Sequence, residues 1–183
     1  MTGVPAVLSR RLDPRAGVAM VWGRINAGAA GNAIPRYGEV QGTLRCLDST
    51  VWAEAGAILA DVVRDVVRPY GVRADVVHTR GVPPTVNDME ATQVVEDAVR
   101  VELGEHSIVA AEQSLGGEDF AWILEKVPGA MLRLGTRTPG GRTYDLHQPD
   151  FTADERAVEI GARVLAGVAL WDLDNRCPSS PQH

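Results

Sequence analysis

The stretch EVQGTLRCLDSTVWAEAGAILADVVRDVVRPYG, residues 39–71, changes its hydrophobic period partway along. Its first residues alternate between apolar and polar side chains, so Val40 and Leu44 share one face of a predicted strand. After Asp48 the apolar residues recur every three or four positions, which predicts an amphipathic helix that ends at Pro69. A strand that leads directly into a long helix predicts a chain that mixes the two elements.

The neighbouring segments extend this unit. Residues 17–28 alternate in the same way and predict a second strand, antiparallel to the first. Residues 4–14 are typical of the end of a helix, and residues 72–81 predict a further strand. Helix, strand, strand, helix, strand is the order of the latter part of a ferredoxin-like βαββαβ unit. The sequence therefore predicts most of such a unit.

Residues 81–88, GVPPTVND, interrupt this pattern with two adjacent prolines and predict a domain boundary. The first predicted domain comprises residues 1–80, and the second comprises residues 81–174. The composition of residues 175–183 is typical of a disordered tail.

The second domain alternates helix and strand, as an α/β layer does. Helices are predicted from Asn87, within residues 116–126 and from Ala153, with short strands at residues 107–111 and 129–136. The predicted core face of the last helix comprises Val158, Ala162, Leu165, Val168 and Ala169.

Composition limits the classes of function. The 183 residues carry a formal net charge of −6, and the basic residues are scattered among acids, which argues against a nucleic-acid partner. No window approaches the ~20 apolar residues of a membrane span, and the N-terminus lacks the apolar core of a secretory signal. Cys46 and Cys177 form neither a disulfide framework nor a metal knuckle. We therefore expect a soluble, cytoplasmic chain.

Directly before the last predicted helix, the segment YDLHQPDFTADE carries His147 in a proline-bearing loop. Thr152 and Glu155 have the spacing of a capping box, which predicts a rigid helix start behind the histidine. A loop histidine bonded to a backbone carbonyl is the commoner arrangement, and a metal ligand or proton carrier is the functional alternative. No other histidine has the spacing to His147 that a local metal site requires.

Two other segments are candidates for binding. In SLGGEDFAWIL, Gly116 and Gly117 would let a ligand approach the backbone, and the helix start behind them would offer N–H groups to an anion. Glu118 is equally well explained as a residue that helix starts favour. Asn32, in the loop AGAAGNAIP, is better explained by a positive φ angle, and Arg45 by an exposed strand edge. No nucleophile elbow, Glu-Glu pair or His-Glu-x-x-His motif accompanies them.

Four collinear segments resemble a known family: AGAAGNAIPRYGEVQGTLR, RGVPPTVND, GGEDFAWILEKVPGAMLRLG and LHQPDFTADE. They are similar to the C-terminal half of the metal-dependent amidohydrolases of the aminoacylase–carboxypeptidase type, in the branch of hippurate hydrolases and indole-acetyl-amino-acid hydrolases. The resemblance covers residues 7–173. It implies an α/β chain: a ferredoxin-like dimerisation lid, followed by the C-terminal part of a zinc-peptidase-like catalytic domain.

The resemblance also implies roles for single residues. His147 falls on the last metal ligand of the family, which binds one of two divalent ions, Zn or Mn. Asn32 and Arg45 fall on lid residues near the substrate, and the Gly-Gly-Glu motif at residues 116–118 falls on a loop beside the active site. The implied reaction is cleavage of the amide bond of an N-acyl amino acid by metal-activated water, in a homodimer formed through the lid.

The other metal ligands of the family, in a His-x-Cys-Gly-His segment, a Glu-Glu pair and a further histidine, are absent from this sequence. We therefore predict that the chain alone neither binds zinc tightly nor hydrolyses acyl-amino acids. One hypothesis is an enzyme portion whose partner is a separate N-terminal half. A second is a truncated or split-gene fragment that acts only as a dimerisation and substrate-lid module, and a third is a small-molecule sensor.

Overall fold

The computed structural model describes residues 1–176, and its contacts divide the chain into two units. The first unit comprises Met1–Thr85 and Ser114–Trp122, and the second comprises Val86–Gln113 and the residues from Ile123 onward. The predicted boundary after residue 80 therefore differs from the observed division, and the prediction assigned residues 114–122 to the other part. The contacts that draw this segment into the first unit involve side chains far apart in sequence, which periodicity does not reveal. The identification of the two parts as a lid and a catalytic portion stays a prediction.

In the first unit, β1 (Ala19–Ala27) and β2 (Gly38–Arg45) pair antiparallel, as their alternating patterns predict. Met20 lies opposite Leu44. The register shifts at Gly23, where β1 has one residue more than β2. Beyond this bulge the strands continue to the exposed loop that connects them.

Two helices pack against each other and against the apolar face of these strands. They are α1 (Gly3–Arg11) and α2 (Ser49–Val67). The carboxylate of Asp48 accepts a hydrogen bond from the backbone N–H of Val51 at 2.8 Å and so caps α2. The buried residues of this core are Val4, Leu8, Leu59 and Val62, with Met20, Trp22 and Leu44 packed against them.

The second unit is built on α3 (Met89–Leu103) and α5 (Arg156–Arg176), which pack against each other. Arg163 donates a hydrogen bond to the backbone carbonyl of Glu102 at 2.8 Å. Between these helices in sequence lies α4 (Ala121–Leu124), a single turn. Short 3-10 turns occupy Pro14–Ala16, Arg68–Tyr70 and Glu105–Ser107.

The start of α3 differs from the prediction by one residue. Asp88, not Asn87, caps the helix, since its carboxylate accepts the backbone N–H of Ala91 at 2.9 Å. The amide of Asn87 instead bonds both backbone groups of Met131, accepting from its N–H and donating to its carbonyl, each at 2.9 Å. The N–H of Asp88 adds a bond to the carbonyl of Gly129 at 2.9 Å. A side chain thus joins the two segments as a strand backbone would.

Three predicted strands, at residues 72–81, 107–111 and 129–136, are wrong. Within residues 1–176 the sheet consists of β1 and β2. A strand requires the N–H and C=O groups of a neighbouring backbone. The apolar pattern of a segment indicates that it is extended or buried, but it does not supply that neighbour.

The last helix also differs from its prediction. α5 begins at Arg156, whose backbone N–H is bonded to the carboxylate of Asp154 at 3.0 Å, so the predicted cap at Thr152 is wrong. The predicted core face is wrong too, because Val158 and Leu165 are 78% and 71% exposed. The buried residues of α5 include Ala157, Val164 and Gly167.

Glycine explains which face of α5 is buried. A Cβ at Gly167 would lie 2.6 Å from Cγ of Glu102, so the helices approach closely at this point. Gly161 likewise lies in contact with Leu134. The face without glycines, although apolar, faces away from α3.

The end of the chain is described in part. α5 continues to Arg176, so the first two residues of the predicted tail, residues 175–176, are helical. The rest of that prediction, residues 177–183, lies outside the described residues. Within residues 1–176, no helix combines the length and the apolar character that a membrane span requires.

Candidate functional site

His147 lies in the loop before α5 and is exposed. Its φ angle is 63°, and no other non-glycine residue in the described part of the chain has a positive φ. The loop around it is closed by side chains: the rings of Tyr144 and Phe151 meet edge to face at 6.3 Å, and Arg142 bonds Asp150 at 3.0 Å. An exposed imidazole is therefore presented on a short, strained and closed loop.

The described residues do not by themselves fit a resident metal ion. Among them, no group of three or more His, Cys, Asp or Glu side chains is placed to hold one. A zinc site takes at least three protein ligands. His147 is thus one candidate ligand, and further donors would have to come from outside residues 1–176.

The Gly-Gly-Glu motif has no regular structure and leads into a turn at Asp119 and Phe120. Residues 116–118 together with this turn are called the Gly-Gly-Glu turn below. The N–H of Gly116 is bonded to Oγ of Ser114 at 2.9 Å. The carbonyl of Glu118 accepts the N–H of Ala121 at 3.0 Å, where the single turn of α4 begins. A one-turn helix has only a small dipole, and the anion site expected at this helix start stays a prediction. The side chain of Glu118 is exposed.

Arg45 and this turn lie together. Arg45 ends β2, and its Nη1 donates a hydrogen bond to the carbonyl of Leu115 at 2.5 Å. Gly117 lies against Val82, and a Cβ at this glycine would come within 2.7 Å of Cγ2 of Val82. Arg45 thus has a specific hydrogen-bond acceptor, whereas an arginine at a solvated strand edge would be bonded to water.

Asn32 lies at the other end of the strand pair from Arg45. It is exposed in the loop between β1 and β2, and eight residues of β2, about 24 Å, separate that loop from Arg45. The prediction that Asn32 takes a positive φ is wrong, because Gly28 takes it in this loop, with φ of 77°. The structure therefore does not bring Asn32 together with the Gly-Gly-Glu turn.

Sequence reasoning missed a ring cluster beside this turn. Trp122 meets Trp52 edge to face, with 5.8 Å between the ring centres. The guanidinium of Arg80 lies over the Trp52 ring at 5.1 Å and donates a bond to the carbonyl of Ala53 at 2.7 Å. His78 is exposed and lies against α2 at Gly56, a position where a Cβ would overlap its ring. The only signal in the sequence is a tryptophan in the first turn of α2 and another after the Gly-Gly-Glu motif.

An antiparallel strand pair with two helices, followed by a helical unit with a histidine-bearing loop, is a mixed α/β chain. Comparison with known proteins identifies the family. The chain belongs to the peptidase family M20/M25/M40, whose sequence model matches residues 2–171. The expected family and the expected α/β fold class are therefore confirmed.

Individual relatives match nearly the whole chain. A Rhodococcus jostii protein that carries a glutamate–cysteine ligase name is 43% identical over 96% of this chain and 22% of its own length. The N-acetyl-L-cysteine deacetylase of Bacillus subtilis is 30% identical over 96% of this chain and 41% of its own length. A solved dinuclear metal-binding peptidase of family M20, from the same organism, is 28% identical, with a TM-score of 0.77. That match covers 94% of this chain and 45% of the solved chain. The chain thus spans less than half the length of these relatives.

Proposed function

We propose that this chain is the C-terminal portion of a metal-dependent amidohydrolase that cleaves the amide bond of N-acyl amino acids in the cytoplasm. His147 supplies one ligand to a divalent ion, Zn or Mn. Asn32, Arg45 and residues 116–118 act on the substrate side of the same reaction. N-acetyl-L-cysteine is the first substrate to test, since one relative is named for its deacetylation.

The observation that carries the proposal is the conformation of His147. A φ of 63° places this residue in the left-handed region, which costs a non-glycine residue about 1–2 kcal/mol. Strain of this kind is concentrated at functional sites, where a particular side chain is needed in a particular place. The imidazole is exposed and therefore accessible to an ion.

The metal would supply an activated water and polarise the amide carbonyl of the substrate. The residues described here contribute binding and orientation. Arg45 is bonded to the residue before the Gly-Gly-Glu turn, and this turn offers backbone groups and the exposed carboxylate of Glu118. The remaining metal ligands belong to a polypeptide that corresponds to the N-terminal half of the relatives.

A chimera tests this function directly. The matched 175 residues of the Bacillus subtilis deacetylase would be replaced by this chain, and metal-dependent release of acetate from N-acetyl-L-cysteine would be measured. We expect activity in the chimera, and a loss of more than about 100-fold with His147→Asn. His106→Asn, a change of another exposed histidine, is the matched control and should leave the activity unaltered. An active His147→Asn chimera contradicts the proposal.

The chain alone provides the complementary measurement. By calorimetry with Zn²⁺ or Mn²⁺ we expect only weak binding, and no turnover of N-acetyl-L-cysteine. Hydrolysis by the metal-loaded chain would contradict the assignment of the missing ligands to another polypeptide.

The second candidate is a non-catalytic dimerisation and substrate-lid module. The outer face of α5, which lies outside the predicted lid, favours the association but not the lid role. Val158, Leu165 and Leu173 are 78%, 71% and 63% exposed on that helix, and contiguous exposed apolar surface is typical of an interaction site. This module would associate as a homodimer or with a separate N-terminal half. A functional lid-only module would bind N-acyl amino acids without metal.

Sedimentation separates the two kinds of association. If α5 mediates self-association, Leu165→Glu should yield a monomer. Val101→Glu is the matched control, because Val101 is 67% exposed and lies on α3 instead of α5. A wild-type chain that sediments as a monomer contradicts the homodimer, and binding to an added N-terminal half then becomes the measurement that decides.

A further inference from the structure

The Gly-Gly-Glu turn is held at its beginning by two contacts within the first unit. The hydrogen bond from Arg45 to the carbonyl of Leu115, at 2.5 Å, joins the end of β2 to the residue before the turn. Gly117 lies against Val82, closely enough that only a residue without a Cβ fits there undisturbed. Both partners come from parts of the chain more than 30 residues earlier.

The end of the turn is held by packing. Ala121 is 1% exposed. Next to it, the ring of Trp122 meets that of Trp52 at 5.8 Å with an interplanar angle of 73°, the geometry preferred by aromatic pairs. Arg80 lies over the ring of Trp52 and so holds that ring in place. Between the two ends, Glu118 remains exposed.

We infer that Arg45 and Trp52 are positioning residues, which fix the Gly-Gly-Glu turn and thereby place the carboxylate of Glu118. Two successive glycines have a wide choice of backbone conformations. This segment has no strand or helix of its own before α4, so its conformation is set by the contacts at its ends. The position of a side chain on such a turn therefore depends on the contacts at the two ends of the turn.

This assigns Arg45 a role other than direct contact with the substrate. Its guanidinium is engaged by a backbone carbonyl, so substitution of Arg45 acts first on the turn. The inference depends on the proposed function only for what Glu118 does once it is placed. The coupling between Arg45, Trp52 and the turn requires neither metal nor substrate.

Hydrogen exchange of the full chain, followed by mass spectrometry, tests this coupling. The reporters are the backbone N–H groups of Ala121 and Trp122, which are bonded to the carbonyls of Glu118 and Asp119 at 3.0 and 3.1 Å. Loss of the charged hydrogen bond in Arg45→Gln should raise their exchange rates about fivefold. Arg45→Lys, which keeps a donor, should lie between this variant and the wild type.

Arg24→Gln is the matched control. Arg24 is an exposed arginine on β1, opposite Gln41, and therefore on the same face of the sheet as Arg45. Its replacement should leave the reporters unchanged. The amides of α2 serve as the internal control, because they report unfolding of the whole unit.

The ring pair provides the second test. Trp52→Ala should also accelerate the exchange of the Ala121 amide several-fold, and Trp52→Phe, which keeps an aromatic pair, should stay near the wild-type rate. The inference is overturned if Arg45→Gln matches Arg24→Gln at the reporters, or if the α2 amides accelerate equally with them. If the chimera is inactive but the full chain shows the expected exchange rates, the proposed function is wrong and this inference still holds.

Discussion

Replacing His147 with glycine should stabilise the chain. The left-handed backbone at this residue, with φ of 63°, costs histidine about 1–2 kcal/mol, and glycine does not bear that cost. Glycine gives back about 0.4–1 kcal/mol because it makes the unfolded chain more flexible. The imidazole is exposed, so little packing is lost with it. The expected net gain in the free energy of unfolding is about 0.5–1 kcal/mol, or roughly 1–4 °C in melting temperature.

Urea unfolding of the metal-free chain, followed by circular dichroism, measures this gain. His147→Ala is the matched control, because alanine removes the imidazole but keeps the Cβ and therefore the strain. His147→Asn should lie between glycine and alanine, since asparagine tolerates the left-handed region better than most residues. If glycine is no more stable than alanine here, the strain is not present in solution. The conformation of His147 would then no longer support its role as a selected ligand.

Two further substitutions test the core and the start of the last helix. Val62→Ala should lower the free energy of unfolding by about 2–3 kcal/mol in urea titrations, because Val62 is 0% exposed. Val158→Ala, at a position 78% exposed, should change the free energy of unfolding by less than about 0.5 kcal/mol. Equal effects of the two substitutions would contradict the assigned core. Hydrogen bonds from Arg156 hold the pKa of Asp154 well below its usual range, so this carboxylate stabilises the fold above its unfolded pKa of about 3.9. That contribution is lost as the pH falls toward the lower folded value. Asp154→Asn should therefore melt below the wild type at pH 7, with a difference that shrinks from about pH 4 downward; a constant difference from pH 7 to pH 2 would contradict the ion pair.

The elements that the sequence predicts correctly are those whose partners are local. β1, β2 and α2 follow one another along the chain, and each packs against the next, so a change of period from two to 3.6 is sufficient to place them. Asp48 caps α2 within three residues, which is again local chemistry. His147 is a candidate from its local sequence alone, and its role as a metal ligand stays a prediction.

The elements that the sequence does not predict depend on distant partners. The backbone of Met131 is bonded to the amide of Asn87, a contact over more than 40 residues that no periodicity encodes. The bond from Arg45 to the carbonyl of Leu115 spans 70 residues. Without it, Arg45 has the pattern of any charged residue on the polar face of a strand. The candidate site could therefore be predicted as separate residues, but not as the pairing of Arg45 with the Gly-Gly-Glu turn.

In α5, the hydrophobic periodicity and the glycines indicate two different buried faces. Hydrophobic periodicity selects the stripe that contains Val158 and Leu165, whereas the glycines select the stripe that packs against α3. A surface helix normally has one apolar stripe, and a helix apolar on a second side is typical of an element buried between two neighbours. α3 covers one side, so the second stripe is the part of the sequence pattern for which the described residues provide no neighbour. This exposed apolar stripe of α5 is the physical basis for proposing that the chain associates with another polypeptide. It also explains why a substitution on this face, which the sequence predicts as core, should disrupt that association.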